Sequence, residues 1–399
     1  MLRPDTFALT ALLALLTALG PVSTDMYLPS LPEIGRVLGA SIAHVQLTIS
    51  VYLAAFAVGQ LLYGPISDRL GRKPVLMSSL VLYSAASLGC AAAATIELLI
   101  AARALQAFGG AGVIVVARAI VRDLYEGPRA GRELSIMGTI MGIAPIVAPV
   151  VGGLVQTVFG WRANFALALA FGLVACIIVW KKLPETLRQR SGVPLSLPGM
   201  MRAYAAFARS RVFVAHLALV SLSYAGLFAW LSGASFVLQD LYGLTAFEFG
   251  FAFAGGSLGY VVGTALAARL VLRQGLDRVI GLGSSALALG GLAMVMGVAL
   301  ESSWVFAMVL PIALYLTGLG LTLPQGIAGA LSPFAERAGA ASSVLGFVQQ
   351  SGAALLGVAV GHLLGRSAWP LAAAIAAMGC LTVLVWALTR VARTAKSAK

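Results

Sequence analysis

The sequence predicts an all-α membrane protein of twelve transmembrane helices, arranged as two pseudo-symmetric bundles of six. Three observations carry this. Of the 399 residues, 60% are hydrophobic and 10% charged, whereas a soluble domain carries about 25% charged residues to cover its surface. Mean hydropathy is +0.96, so lipid is the solvent. The apolar residues fall in twelve runs of the length, about 20 residues, that a helix needs to cross the hydrocarbon core. A polar stretch then divides the runs six and six.

In order, the first six spans are expected at about 6–29, 44–63, 75–94, 97–120, 134–158 and 163–181. The second six are expected at about 212–234, 246–270, 279–300, 304–330, 339–364 and 368–389. The N-terminal run, MLRPDTFALTALLALLTALG, continues into a proline-rich stretch containing Asp25, with no small-residue cleavage site, and reads as an uncleaved first span. Most of the 45 glycines lie inside the apolar runs, where small residues let membrane helices approach closely. The segment 183–211, with LPETLRQRSG, Pro194 and Pro198, is the longest polar stretch. The domains are therefore an N-terminal bundle over 1–182, a linker over 183–211, and a C-terminal bundle with a short basic tail over 212–399. Two parallel six-span repeats joined by a basic linker are a transporter layout.

The net charge of +13 does not indicate nucleic acid, because the basic residues form short clusters between apolar runs. With a cytoplasmic N-terminus, 23 of the 27 lysines and arginines fall on the inner side. Arg36, Arg162 and Arg366 then face outside, and Arg103 lies within a span. The positive-inside rule selects this orientation, with both termini cytoplasmic. Cys90, Cys176 and Cys380 have no CxxC spacing and suggest neither a disulfide framework nor a metal site. No cofactor is called for, and nothing calls for more than a monomer.

Four segments carry chemistry. The loop after span two reads Gly64-Pro65-Ile66-Ser67-Asp68-Arg69-Leu70-Gly71-Arg72-Lys73-Pro74. A loop this short must reverse at the membrane surface, which gives glycine a role in a tight turn. Asp68 is placed to face a helix N-terminus or to pair with Arg72, and either contact latches two helices together. Span one ends GPVSTDMYLPSLPEI, and Asp25 is the one of the 14 acids placed well inside the hydrocarbon region. A carboxylate at that depth faces a cavity, finds a partner or takes up a proton; the alternative is an Asp at the outer end capping the next helix. Pro21 and Pro29 flank it and are expected to interrupt the helix. In span four, Arg103 and Gln106 stand in LLIAARALQAFGGAG. A guanidinium cannot be neutralised in practice, so Arg103 needs a counter-group or a hydrated cavity, or it snorkels outward. Span five, SIMGTIMGIAPIVAPVVGGLV, carries Pro145, Pro149, Gly152 and Gly153, which make a helix that can kink and pack closely.

These strings bear a resemblance. The loop after span two closely resembles the signature G-x-x-x-D-R-x-G-R-[KR] of the major facilitator superfamily. In that family the Asp and second Arg form a cytoplasmic latch with an acid ending span four, where Asp123 stands in VRDLY. The gating residues implied are Gly64, Asp68, Arg69, Gly71, Arg72, Lys73 and Asp123. The equivalent second-half loop, ARLVLRQGLDRV, has no Asp before its Gly, so an asymmetric latch is expected. T-D-M-Y-L-P-x-L-P resembles the first-span signature of the Bcr/CflA group of drug:proton antiporters. Span four resembles R-x-x-Q-G, with Ala107 replacing the Gly, and span five resembles the antiporter motif G-P-x-x-G-G, with Ala148 replacing the first Gly. Gly160-Trp161-Arg162, Pro184-Glu185-Thr186 and Ser367-Ala368-Trp369-Pro370 are secondary echoes.

The resemblance implies a bacterial inner-membrane transporter that exports small hydrophobic or cationic compounds by alternating access, driven by the proton gradient. Asp25 and Arg103 are the implied coupling residues; Tyr27, Gln46, Tyr52, Gln106, Tyr224, Phe228 and Trp230 are cavity candidates. The alternative is a proton-coupled importer or exporter of a small metabolite in the same fold. An enzyme is not expected, because His44, His216 and His362 are scattered and form no HExxH. A hydrogen-bonded structural role suits these histidines better than proton carriage.

Overall fold

The computed structural model describes residues 7–124, 127–187, 207–365 and 367–394; side chains at 7, 8, 10, 14, 21, 122, 127–142, 335–340, 392 and 394 fall outside that description. The Arg122, Arg129, Arg132, Pro194 and Pro198 side chains therefore lie outside the described residues. The first half contains α1 (Phe7–Thr24), α2 (Leu31–Leu38), α3 (Ile42–Leu70), α4 (Arg72–Ala91), α5 (Ile96–Leu124), α6 (Gly127–Phe159) and α7 (Arg162–Lys182). The second contains α8 (Arg211–Phe236), α9 (Ala246–Gln274), α10 (Leu276–Ala299), α11 (Phe306–Leu331), α12 (Ala338–Leu363), α13 (Trp369–Leu388) and the short α14 (Arg390–Thr394). Among the described residues, 11 helices are long and apolar enough to cross a membrane, and α6 adds a shorter apolar length, Ile143–Phe159. The twelve-span, all-helical expectation is met.

Two boundaries differ from expectation for physical reasons. The first span does not end near residue 29. It breaks after Thr24, passes through a tight turn at Leu28–Ser30, and resumes as α2 to Leu38. Position 21 lies within α1, so the break comes from the prolines after Asp25. Pro29 and Pro32 lack the N–H that would bond to Asp25 and Leu28 in a continuous helix. The Leu28 and Ser30 N–H groups turn instead to the Asp25 and Tyr27 carbonyls, at 3.4 and 2.8 Å. The second correction concerns Gly64, which makes no turn. Helix α3 runs through Gly64 and Pro65 to Leu70, and Gly71 alone separates it from α4. At φ 108° and ψ 155°, Gly71 holds a conformation open in practice only to glycine. The second half repeats this joint at Gly275, with φ 77° and ψ 167°.

The chain divides into two compact units, Met1–Leu195 with Ala246–Gly250, and Ser196–Thr245 with Phe251–Lys399. In the first, α4 packs on α5 and α7, and α5 on α3. Leu12, Leu16, Tyr83, Val113, Ile120, Ala175 and Val179 are part of its core. Gly109 sits so near α4 that a Cβ there would lie 2.7 Å from the Tyr83 nitrogen. In the second, the helices at the same places in the order pair again: α10 packs on α11 and α13. Gly290 meets Tyr315 of α11, and Gly379 meets Leu287 of α10, through backbone-close contacts of the same kind. Small residues at facing positions bring membrane helices within reach of dispersion forces, which replace the hydrophobic effect in lipid.

Candidate functional site at the break in the first span

Asp25 occupies the break between α1 and α2, at 6% exposure. Its Oδ1 accepts a hydrogen bond from Thr24 Oγ1 at 2.8 Å. The break is held by α6 and α7. Ser30 Oγ donates to Gln156 Oε1 at 2.5 Å, and Asn164 Nδ2 donates to Ser30 Oγ at 3.0 Å and to the Gly152 carbonyl at 3.3 Å. Gly152 lies against the Met26 carbonyl, where a Cβ would overlap the oxygen. The glycine of the fifth-span motif thus lets α6 approach the bare backbone beside Asp25. Pro145 and Pro149 sit inside an uninterrupted α6. Gly153 lies against Ala246, and Gly250 against Pro149, where the first turn of α9 groups with this unit.

Arg103, from the first turns of α5, is fully buried. Its Nη1 donates to the Ser23 carbonyl at 2.8 Å and to Gln106 Oε1 at 2.5 Å. Gln106 Nε2 donates to Ser87 Oγ at 2.8 Å, and Ser87 Oγ donates to the Tyr83 carbonyl at 2.7 Å. The Tyr83 hydroxyl and Ser23 Oγ are 2.7 Å apart, which closes a ring through α1, α5 and α4. The guanidinium lies over two phenol rings, 4.4 Å from the Tyr27 centroid and 4.2 Å from that of Tyr52. Each desolvated cation–π contact is worth roughly 1–2 kcal/mol. Tyr27 is fixed by its hydroxyl, 2.7 Å from Thr48 Oγ1, and by Phe165, at 5.6 Å between centroids. Arg103 does not snorkel. No ion pair within 4 Å joins it to Asp25 among the described residues. The two are linked through the backbone, since Arg103 holds the Ser23 carbonyl two residues before Asp25. Gln46 is buried near the start of α3.

The other end of this unit holds a charge network. Arg72 is buried and reaches Asp68 Oδ1 at 2.5 Å, Ser67 Oγ at 2.7 Å and Asp123 Oδ2 at 2.8 Å. Its Nη2 is 3.4 Å from Asp123 Oδ1, a fork-on-carboxylate geometry. Asp68 therefore pairs with Arg72, one of the two roles open from sequence. Arg69 is exposed, and no ion pair reaches it among the described residues. Lys73 Nζ donates to the Trp180 carbonyl at 3.0 Å.

Sequence reasoning assigned Glu185 no role. Its Oε1 accepts from the Arg72, Thr186 and Leu187 backbone N–H groups at 2.9, 2.9 and 3.0 Å. Its Oε2 accepts from that of Lys73 at 3.2 Å, so the carboxylate caps the N-terminus of α4. Pro184-Glu185-Thr186 was the signal, and Thr186 Oγ1 reaches Asp123 Oδ2 at 3.3 Å.

The second unit carries a counterpart of different composition. Arg393 Nε pairs with Asp277 Oδ1 at 2.8 Å, its Nη2 reaches the Trp386 carbonyl at 2.7 Å, and its Nη1 bonds Thr389 Oγ1. Trp386 Nε1 donates to the Asp277 carbonyl at 3.1 Å. The first-half loop pattern is absent here, as expected, but an acid just after the joint pairs with an Arg after the last long helix.

Among the aromatic cavity candidates of this unit, Trp230 is fully buried and stacks on Phe253 at 6.4 Å. Tyr224 and the buried Phe228 lie 4.9 Å apart. A hollow of about 350 Å³ is lined by Leu241, Tyr242, Val298, Glu301, Ser302, Ser303 and Ala368, none of them a predicted site residue. His216 Nδ1 lies 2.8 Å from the Val212 carbonyl, His362 Nδ1 2.9 Å from that of Val358, and His44 Nδ1 2.8 Å from Ser41 Oγ. Each ring thus finds a hydrogen-bond partner within its own helix or at its cap. Among the described residues no cluster of three or more His, Cys, Asp or Glu is placed to hold a metal.

A family model described as Major Facilitator Superfamily matches residues 13–354. The chain is 32% identical over 366 residues to the MFS-type transporter YdgK of Bacillus subtilis, covering 90% of this chain and 89% of that one. It is 27% identical over 384 residues to the bicyclomycin resistance protein homolog of Haemophilus influenzae, covering 96% of each. It is 32% identical over 345 residues to the multidrug resistance protein MdtL of Citrobacter koseri, covering 85% of each. Solved structures of similar fold include the nucleoside transporter NupG, with TM-score 0.77, 14% identity, and 96% and 99% of the two chains covered. The xylose transporter XylE from E. coli gives 0.74 at 14% identity, with 95% and 96% covered. With its helical layout, its charge network beside Gly71 and this match over most of its length, the chain belongs to the Major Facilitator Superfamily of membrane transporters.

Proposed function

We propose that this transporter exports small hydrophobic or cationic compounds in exchange for protons, by alternating access. It acts as a monomer in a bacterial inner membrane, with both termini cytoplasmic. The observation that carries the reading is Asp25, a buried carboxylate in a helix break two residues beyond the Ser23 carbonyl, where the buried Arg103 engages that carbonyl and Gln106 through Nη1 rather than a counter-ion. Relatives named for bicyclomycin and multidrug resistance support the cargo class.

In this mechanism deprotonated Asp25 favours a cationic or polar-neutral amphiphile. A proton arriving from outside weakens that contact, releases the cargo and permits the return step. Arg103 holds the Ser23 carbonyl, and so the end of α1, while Asp25 exchanges its proton. One carboxylate implies one proton per cycle, and each proton crossing ~100 mV contributes about 2.3 kcal/mol, with any pH gradient added.

The test is accumulation of a lipophilic fluorescent cation in an efflux-deficient bacterial host, with and without protonophore, for wild type and Asp25→Asn. Lower accumulation in wild type, lost on either perturbation, is expected. Proton-driven efflux that survives Asp25→Asn sinks the assignment of Asp25. No difference from empty vector, with the protein verified in the membrane, removes the cation-export reading and favours metabolite transport.

A further inference from the structure

The end of α7 beside the Gly71 joint combines features that the transport reading does not use. Leu173, Ile177 and Trp180 recur at helical spacing and are all exposed, with Trp180 at 63%. The stripe is apolar until the indole, and Lys181 follows one turn beyond Ile177, exposed like its neighbour Lys182. Lys73 arrives from α4 with its ammonium 3.0 Å from the Trp180 carbonyl, bringing a third cation to the same spot.

The carboxylates at this end are already engaged. Asp68 and Asp123 hold Arg72, and both oxygens of Glu185 accept backbone N–H groups. No ion pair reaches Lys181 or Lys182 among the described residues. Lysines held in no ion pair among the described residues therefore sit at the foot of an exposed apolar stripe, with an indole at the junction. Indoles partition to the headgroup level, and clustered lysines attract anionic headgroups.

We propose that this corner of α4 and α7 binds an anionic phospholipid. Its phosphodiester lies against Lys181 and Lys182 with Lys73 behind, its glycerol region beside Trp180, and its acyl chains along Leu173, Val174 and Ile177. Topology-setting charge alone needs neither the indole nor the stripe; a lipid site uses all three.

The test is native mass spectrometry of the purified, delipidated protein in neutral detergent, given equimolar phosphatidylglycerol and phosphatidylcholine of identical chains. Wild type is expected to retain phosphatidylglycerol selectively. Lys181→Gln with Lys182→Gln should cut the selectivity about 30-fold, since each juxtamembrane cation is worth roughly fivefold in binding. Arg273→Gln with Arg278→Gln, which removes the same charge from exposed positions of the second unit, should leave it unchanged. Equal retention of the two lipids by wild type overturns the proposal. So does an equal loss in the control pair, which marks diffuse attraction, or displacement of the lipid by millimolar inorganic phosphate, which marks a free-anion site. The readout needs no transport, so it stands or falls separately from proton-coupled export.

Discussion

Replacing Gly71 and Glu185 singly and together tests the joint between α3 and α4. Gly71 holds φ 108°, and a Cβ there would lie 2.5 Å from Glu185 Oε2. An alanine in that backbone region costs about 2 kcal/mol in strain. The carboxylate is the far end of a flexible side chain, so it swings away and abandons the α4 N-terminus, at about 1 kcal/mol for a lost cap. Gly71→Ala should therefore cost about 3 kcal/mol and Glu185→Ala about 1 kcal/mol. With both in place the cap is lost once, so the double variant should cost about 3 kcal/mol rather than the additive 4. Gly275→Ala is the control, because that glycine has positive φ but no atom within 4 Å of its Cβ. It should combine additively with Glu185→Ala. The assay is equilibrium unfolding by SDS titration in mixed micelles, followed by tryptophan fluorescence. Strict additivity of Gly71→Ala with Glu185→Ala, or equal coupling at Gly275, would refute the capping argument.

Four further outcomes follow from the packing. Gly64→Ala should be neutral or stabilising by up to about 1 kcal/mol, since Gly64 is helical with open space at its Cβ. Gly152→Ala should cost about 1–3 kcal/mol in the same unfolding assay, because backbone at Met26 must move. Arg393→Ala should cost roughly 1–3 kcal/mol, as the Arg393 side chain is only 2% exposed in its pair with Asp277; failure of the charge exchange Asp277→Arg with Arg393→Asp to recover any of that loss would argue against a direct pair. Gln106→Leu should lower the thermal midpoint and lose about 2 kcal/mol, since it strips an acceptor from Arg103 and a donor from Ser87; an unchanged midpoint would mean that the ring is not a cooperative unit.

The membrane fold and the pairing of Arg72 with Asp68 and Asp123 were legible because they depend on run length and on a long, ordered motif. Asp25 was legible as a buried acid, since a carboxylate amid apolar neighbours stands out in any span. What could not be read was where the chain stops being straight. Proline marks a missing N–H but not whether neighbours rescue the helix, so Pro65 lies in a continuous helix while Pro29 lies in a break. The Arg103 ring was also hidden, because Ser23, Tyr83 and Ser87 are ordinary residues until three helices bring them together. Asp277 and Arg393 are 116 residues apart, and no local spacing relates them.

The single-residue joints at Gly71 and Gly275 bear on how the gene tolerates change in length. A helix turns about 100° per residue, so one added residue at either joint would swing the following helix by more than a quarter turn. Arg72 would leave Asp123 and Ser67 together, and Glu185 would face the wrong side of α4. Long surface loops absorb insertions at little entropic expense, but a connection with no slack converts each one into rotation of a whole span. Epitope tags and protease sites should therefore be tolerated at the exposed turn of Glu301 and Ser303 between α10 and α11 and rejected at these two joints.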